Sequence, residues 1–303
     1  MQTRFGSVNL PLEVQRQFVF SEVDTRSPAE VESQVQAIYL EMFPHGNPGF
    51  TSTAFALAKR CFEGEYPGYQ AIDARYHDFE HTLQGTLCLA RILQGRHRAG
   101  VAPVSDARRF ELSILAILLH DTGYLKVVGD NEGTGAKYTL VHVHRSAEFA
   151  KKLLQGHGVP AADITEVQNM IRCTGVNVDL SGIPFGSELE RLHGFALGSA
   201  DLLGQMAARD YIDKLPILFS EFAESAAYNA GKMTAGGTFA SADDLMRKTP
   251  LFWEKYVLPK LQRDFLGMYR FLALPYPDGP NCYVASIEAN IDMLRRKMAE
   301  VAG

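Results

Sequence analysis

Cysteine is scarce in this chain of 303 residues, which contains only four. The cysteines stand at positions 61, 88, 173 and 282, without the Cys-x-x-Cys spacing of a redox motif or a zinc cluster. The sequence therefore predicts reduced, buried thiols rather than disulfide bonds. A metal ion in this protein would take its ligands from histidine and from acidic residues.

Long apolar runs and blocks of one charge are also absent. The strongest apolar run lies between residues 112 and 119 and is too short to span a bilayer, and the N-terminus has no signal-peptide core. The 30 basic and 35 acidic residues are mixed along the chain, so a nucleic-acid polymer would find no basic block. We expect a cytoplasmic protein that binds neither a membrane nor a nucleic acid.

The motifs of several large enzyme classes are missing as well. No Ser-His-Asp arrangement, Walker loop or dinucleotide-binding glycine pattern follows a convincing strand. The glycine-rich segment 129–135 has no strand before it, so it does not predict a phosphate-binding loop. It is typical either of a mobile lid or of a plain solvated loop, and the sequence favours neither.

Helical signals, by contrast, continue from Ser27 to the C-terminus without a Pro-rich or Ser-rich linker. Ser27 and Glu30 form a capping box with Pro28 at the first helical position, and Ser187 with Glu190 forms another. Length alone would allow two domains. The uninterrupted helical pattern instead predicts an N-terminal extension over residues 1–26 and a single all-α domain over residues 27–303.

Three short blocks of the sequence carry residue types that bind metal ions. In the first, His77 and His81 are four residues apart, and a helix would point both side chains into one pocket. In the second, residues 112–119 are apolar nearly all round, which predicts a buried helix whose last turn delivers His120 and Asp121. In the third, a mostly apolar helix is followed by Asp201.

These blocks predict a metal site in the core. Burying an imidazole beside a carboxylate is unfavourable unless something compensates, and a divalent cation would compensate for both groups at once. Any one of these histidines could be an ordinary core or surface residue. No structural requirement, however, explains the whole set.

The order of the blocks resembles the HD superfamily of metal-dependent phosphohydrolases. The segment Tyr76-His77-Asp78-x-x-His81 is similar to the Tyr-His-Asn-x-x-His motif of its cyclic-nucleotide phosphodiesterase branch, with Asp78 in place of the usual Asn. The resemblance covers about residues 76–222, half of the chain. It implies a multi-helix HD-domain bundle with the metal site in its core.

The resemblance also implies a role for each matching residue. The first metal ion would be bound by four residues, namely His81, His120, Asp121 and Asp201. Asp121 would bridge to a second ion, which His144 would also serve, and His77 would be the general acid. His142, two residues from His144, would point to another side of its helix and could reach the site only from the loop before it. The other histidines, at positions 45, 97, 157 and 193, match no part of the motif and are expected on the surface or in the core.

The resemblance implies hydrolysis of a phosphate ester by water activated at one or two divalent ions, with His77 protonating the leaving oxygen. Histidine and carboxylate ligands suit Fe, Mn, Zn, Co, Ni or, at an oxygen-rich position, Mg. The expected partner is a small phosphorylated substrate such as a nucleotide, and a homodimer stays open. No equivalent of the purine-binding Gln of cyclic-nucleotide phosphodiesterases is recognisable, which argues against cyclic AMP or GMP.

Two other functions stay open. A mixed-valent di-iron oxygenase can be built on the same scaffold, but such proteins supply a further histidine, and residues 170–174 contain none. A non-catalytic nucleotide-sensing module would keep the metal for structure alone. His77 argues against that function, because a structural site has no need of a general acid.

Overall fold

The computed structural model describes residues 20–175, 178–230 and 239–302. Within these ranges the chain is helical, and its β pairing consists of isolated bridges such as Tyr69 with Val127 and Ala273 with Asn281. The all-α prediction is confirmed. The helices are α1 Pro28–Met42, α2 Phe50–Phe62, α3 Phe79–Arg98, α4 Ala107–Leu119, α5 His142–Gly156, α6 Ala161–Arg172, α7 Glu188–Met206, α8 Tyr211–Tyr228, α9 Ala242–Phe252 and α10 Cys282–Ala302.

Several helices begin where a short polar side chain caps the first turn. Ser27, Asp78, Asp106, Ser187 and Ser241 each accept a hydrogen bond from the backbone N–H three residues later. Such caps satisfy N–H groups that have no partner inside the helix. The two starts predicted at Ser27 and Ser187 are therefore confirmed.

Three helices, α3, α4 and α7, form the centre of the bundle. They pack on one another, with α1 and α2 against α3 and α4, and with α5 and α6 beside α4 and α7. Helices α8, α9 and α10 pack in sequence on the other side, where α10 returns to α7. The buried apolar side chains form one contiguous core from Val31 in α1 to Leu294 in α10. No helix in the described part of the chain is long and apolar enough to cross a membrane.

Gly204 sets the separation of α7 from α3, which it meets beside Gly85. A Cβ atom at Gly204 would lie 2.7 Å from the backbone carbon of Gln84, and one at Gly85 would lie 3.8 Å from the Cα of Asp201. The two helices therefore touch backbone to backbone at this point. Since His81 is about one turn before Gly85 and Asp201 is about one turn before Gly204, the crossing brings these two side chains together.

The start of α3 differs from the prediction. His77 precedes the helix, which begins at Phe79, so the prediction of one helical face for His77 and His81 is wrong. Asp78 is the reason, because it adopts an extended conformation as the N-cap and accepts a hydrogen bond of 2.8 Å from the His81 N–H. The rings of His77 and His81 still meet, with their centroids 5.4 Å apart.

Segment 129–135 is held by hydrogen bonds at several points. Glu224 accepts hydrogen bonds of 2.5 and 2.6 Å from the backbone N–H and the hydroxyl of Thr134. Asp73 accepts one of 2.6 Å from Gly135, and the buried ammonium of Lys137 lies 2.6 Å from Asp130. These bonds favour a fixed wall rather than a mobile lid.

Candidate metal centre

Four of the predicted ligands converge in the core. The His81 Nε2 atom lies 3.3 Å from Asp121 Oδ2 and 3.2 Å from Asp201 Oδ1. The His120 Nε2 atom faces the same two oxygens at 3.2 and 3.3 Å. All four residues are buried, and Asp201 lies within α7 rather than after its end, as the sequence had suggested.

The backbone explains how these side chains reach one place. His120 is the C-cap of α4, so His120 and Asp121 leave the helix into a tight turn over Thr122–Tyr124. His81 projects from the first turn of α3. Asp201 projects from the second-to-last turn of α7, close to the point where Gly204 lets the two helices touch. Neighbours in the pocket thus come from positions far apart in the sequence.

The atoms facing one another fit a bound cation. His120 Nδ1 donates to the Ile117 carbonyl at 2.7 Å, which leaves Nε2 of the neutral ring as a lone-pair donor. Both His120 Nε2 and Asp121 Oδ2 are buried, and the polar atoms that they face belong to the cluster itself, 3.2 to 3.3 Å away. Ligand atoms of His81, His120 and Asp121 lie within 4.8 Å of one another. This cluster could therefore hold a metal ion.

The charges of the cluster lead to the same inference. Burial lowers the pKa of His81, but hydrogen bonds and charge from Asp121 and Asp201 outweigh it and raise the pKa to about 10. Burial would raise the pKa of Asp121, but the charge of His120 and a hydrogen bond from His81 hold it well below the usual value. Protons on the imidazoles thus balance the carboxylates, and a divalent cation would displace those protons and balance them equally.

His77 lies beside this cluster and is paired with a residue that the sequence did not reveal. The His77 Nδ1 atom is 2.5 Å from Glu221 Oε2, and Glu221 also accepts a hydrogen bond of 2.7 Å from the Tyr76 N–H. Burial raises the pKa of Glu221, but the charge and hydrogen bond of His77 outweigh it and lower the pKa. The ionised Glu221 carboxylate accepts the hydrogen bond from His77. The ring proton is therefore on Nδ1, and Nε2 carries the lone pair.

Glu221 gave no signal in the sequence because acidic residues on amphipathic helices ordinarily face solvent. It lies on the buried face of α8, together with Leu215 and Ser225. The position of the Glu221 carboxylate opposite His77 depends on how α8 packs against the segment before α3. Local patterns in the amino-acid sequence do not indicate that packing.

The structure places His142 rather than His144 beside the cluster. His142 is the first residue of α5, and its Nε2 atom lies 3.8 Å from Asp121 Oδ1 while its Nδ1 donates to the Thr139 carbonyl at 2.6 Å. His144 is exposed on α5. Residues two apart on a helix point about 200° apart, so only one of the two can face Asp121. The prediction that His144 faces the cluster is therefore wrong, and His142 is the histidine of α5 that does so.

An aromatic group connects the two outer histidines. The Tyr124 ring stacks on His77 with centroids 4.5 Å apart and on His142 with centroids 4.8 Å apart, and the planes are nearly parallel in both pairs. The exposed fractions of the side chains are 14% for His77, 19% for His142 and 11% for Asp201, against 1% for Asp121. The cluster is therefore reached past His77, His142 and Asp201.

A cleft of about 220 Å³ lies on the other side of Glu221. It is open to solvent between the segment before α3, segment 129–135 and α8. Its wall consists of Asp73, Arg75, Thr134, Pro216, Ile217, Ser220, Glu221 and Glu224. Its position next to the His77–Glu221 pair makes it a neighbour of the metal centre, not a part of it.

Comparison with known proteins adds one match. Residues 129–274 match the family described as Npun_R2479-like. This region is less than half of the chain, and its description names no activity. It contains His142, Asp201 and Glu221 but begins after His77, His81 and the His120–Asp121 pair. No curated protein matches the chain.

Proposed function

We propose that this protein is a metal-dependent hydrolase of the HD type that cleaves a phosphate ester of a nucleotide or another small molecule. The observation that carries the proposal is the convergence of His81, His120, Asp121 and Asp201 in one buried cluster beside His77. Phosphoryl transfer needs positive charge on the phosphoryl oxygens and a proton for the leaving oxygen. The cluster and His77 would supply these two requirements.

The four buried residues would hold the first divalent ion, and Asp121 with His142 would hold a second. Bound there, such ions would lower the pKa of water toward neutrality and neutralise charge on the phosphoryl group. Imidazole and carboxylate ligands without thiolate suit Fe, Mn, Zn, Co or Ni, and an oxygen-rich second position also suits Mg.

His77 has the geometry of a general acid. Its Nδ1 proton is engaged by Glu221, so Nε2 is the atom that would carry the proton for the leaving oxygen. Glu221 would fix the orientation of the ring. Since Glu221 is buried and also holds the Tyr76 backbone, the pair is set in position before substrate binds.

The two other functions have less support. An oxygenase on this scaffold would use a further histidine ligand after the His144 position, and residues 170–174 contain none. A purely structural metal site would leave the pair of His77 and the buried Glu221 without a purpose. We therefore favour the hydrolase.

The test is elemental analysis of protein purified without chelators, followed by a hydrolysis screen over nucleotides, phosphomonoesters and phosphodiesters. We expect bound transition metal and release of phosphate or of an alcohol that stops when a chelator is added. Protein that neither contains metal nor takes it up would contradict the proposal. Metal-loaded protein that hydrolyses none of these esters would contradict the hydrolase while leaving the metal centre in place.

A further inference from the structure

The segment that carries His77 is tied to helix α7 through the side chain of Gln205. The Tyr76 hydroxyl donates a hydrogen bond of 2.7 Å to Gln205 Oε1, and Gln205 Nε2 donates one of 3.0 Å to the Asp201 carbonyl. A backbone carbonyl can only accept, so the amide nitrogen of Gln205 faces Asp201 and its oxygen is left for Tyr76. Gln205 therefore connects the turn of α7 that carries Asp201 with the residue that precedes His77.

Tyr76 contacts both the proposed general acid and a proposed metal ligand. Its ring lies edge-on to that of His77, with centroids 5.1 Å apart, and is tilted against that of His81 at 5.9 Å. Its backbone N–H donates to one oxygen of Glu221, whose other oxygen is 2.5 Å from His77 Nδ1. A displacement of Tyr76 would therefore move the His77–Glu221 pair relative to the metal ligands.

The Tyr76 hydroxyl depends on the acceptor that Gln205 supplies. Tyr76 is buried, and burial raises the pKa of its hydroxyl well above the usual value, so the group is a neutral donor. A buried donor that loses its acceptor is destabilised. Removal of the Gln205 amide therefore favours a displaced Tyr76, and the displacement reaches His77 through the contacts of the Tyr76 ring and backbone.

We propose that Gln205 is a positioning residue, which holds His77 in place relative to the metal centre, an inference that rests on the proposed function. The hydrogen bonds run from the Asp201 carbonyl through Gln205, Tyr76 and Glu221 to His77 Nδ1. A general acid acts only within hydrogen-bonding reach of the leaving oxygen. A small displacement of His77 is therefore enough to slow the reaction.

The experiment compares wild type with Gln205→Leu at equal metal occupancy and well below the melting temperature of either protein. We expect the variant to keep its metal and to hydrolyse an ester with a poor leaving group about 10-fold to 100-fold more slowly. A nitrophenyl ester, whose leaving group needs no proton, should lose much less. Tyr76→Phe breaks the same bond from the other side, so it should give the same pattern, and the double variant should be no slower than either single one.

A second measurement does not depend on hydrolysis. The proton that His77 Nδ1 shares with Glu221 should give a low-field signal in the NMR spectrum of protein with isotope-labelled histidine, and His77→Ala identifies that signal by its absence. We expect the signal to move or broaden in Gln205→Leu. Gln168→Leu is the matched control, because Gln168 is a buried glutamine that donates to the Ala147 carbonyl at 3.0 Å, outside this series of bonds. It should leave both the signal and the ratio of the two rates unchanged.

An unchanged His77 signal in Gln205→Leu would overturn the inference, and so would equal losses on the two esters, which would indicate a role in stability alone. Tyr76→Phe removes one oxygen and gives the same test if Gln205→Leu does not fold. Metal-loaded wild type that hydrolyses neither ester would overturn the proposed function. The NMR signal would then still show whether Gln205 holds His77 in place.

Discussion

Two groups of buried imidazoles occupy the same bundle and differ in every partner. His81 and His120 face the carboxylates of Asp121 and Asp201. His193, two turns before Asp201 in α7, lies between two hydroxyls, with Nε2 2.8 Å from Ser105 Oγ and Nδ1 2.7 Å from Ser113 Oγ. All three rings are buried, so burial is not what separates the groups.

The hydrogen bonds of His193 form a closed set. The Ser113 hydroxyl donates to the Arg109 carbonyl at 2.7 Å, so it accepts from His193 Nδ1, and Nε2 accepts from Ser105. Burial, assisted by the charge of Arg96, lowers the pKa of His193 to about 3, whereas the carboxylates raise that of His81 to about 10. A buried imidazole with neutral partners and a complete set of hydrogen bonds stabilises the fold. A buried imidazole that faces charged carboxylates is available to a ligand.

The largest effect is expected when Asp121, the carboxylate that both imidazoles of the cluster face, is removed. Asp121→Ala should lose metal at both positions and abolish hydrolysis, because both imidazoles and the second position face this residue. The metal-linked stabilisation, about 3–4 kcal/mol when metal is at 100 to 1,000 times its Kd, should vanish with it. Metal content and melting curves with and without added metal measure this effect.

His193→Gln is the counterpart, since it alters a buried imidazole outside the cluster. It should retain the metal content of wild type. If Asp121→Ala kept full metal content, or if His193→Gln lost its metal, the division of the histidines into two groups would be wrong.

A smaller effect is expected at His77, which borders the cluster without being a ligand. His77→Ala should keep the metal and slow hydrolysis of an ester with a poor leaving group by about 10²–10⁴, the usual contribution of general acid catalysis. An ester that releases nitrophenolate needs no protonation, so its rate should fall much less. Paired rate measurements on the two esters at equal metal occupancy test the role.

Glu221→Gln sharpens this prediction, because it keeps the size of the residue and removes the charge that orients His77. We expect a decrease of about 10-fold to 100-fold with the same dependence on the leaving group. Equal losses on both esters in His77→Ala would remove His77 from the general-acid role. Loss of metal in that variant would instead make His77 a ligand.

The smallest effect concerns stability and acid. Because the pKa of His193 is about 3 in the folded protein and 6.5 for an ordinary histidine, the unfolded chain takes up the proton first. The stabilisation is complete above pH 6.5 and is lost as the pH falls toward 3. Within that window the free energy of unfolding of wild type should fall more steeply than that of His193→Gln, by up to about 1.4 kcal/mol per pH unit.

Urea unfolding of both proteins at several pH values gives this difference directly, and titrating carboxylates cancel between them. Parallel curves would mean that folding leaves the pKa of His193 unchanged, and burial between the two serines would then not hold the ring neutral.

Local sequence patterns were enough for part of this picture. The all-α fold and the starts of α1 and α7 follow from capping residues and apolar periodicity, and the His120–Asp121 pair needs only the end of one helix. The four-residue spacing of His77 and His81 favours one helix, whereas Asp78, a common N-cap residue, starts the helix after His77. Glu221 and His142 depend on the packing of distant segments, which local patterns do not encode.

The contact at Gly85 and Gly204 has a consequence for how this centre can change over generations. Helices that touch through side chains shift apart or together as those side chains are replaced. Here the backbones of the two helices are in contact. We therefore expect substitutions elsewhere in α3 and α7 to leave the distance between His81 and Asp201 unchanged. A methyl group at Gly204 would collide with the backbone of Gln84. A homologue with alanine at this position would therefore need a different packing of α3 on α7, or would lose the arrangement of His81 and Asp201.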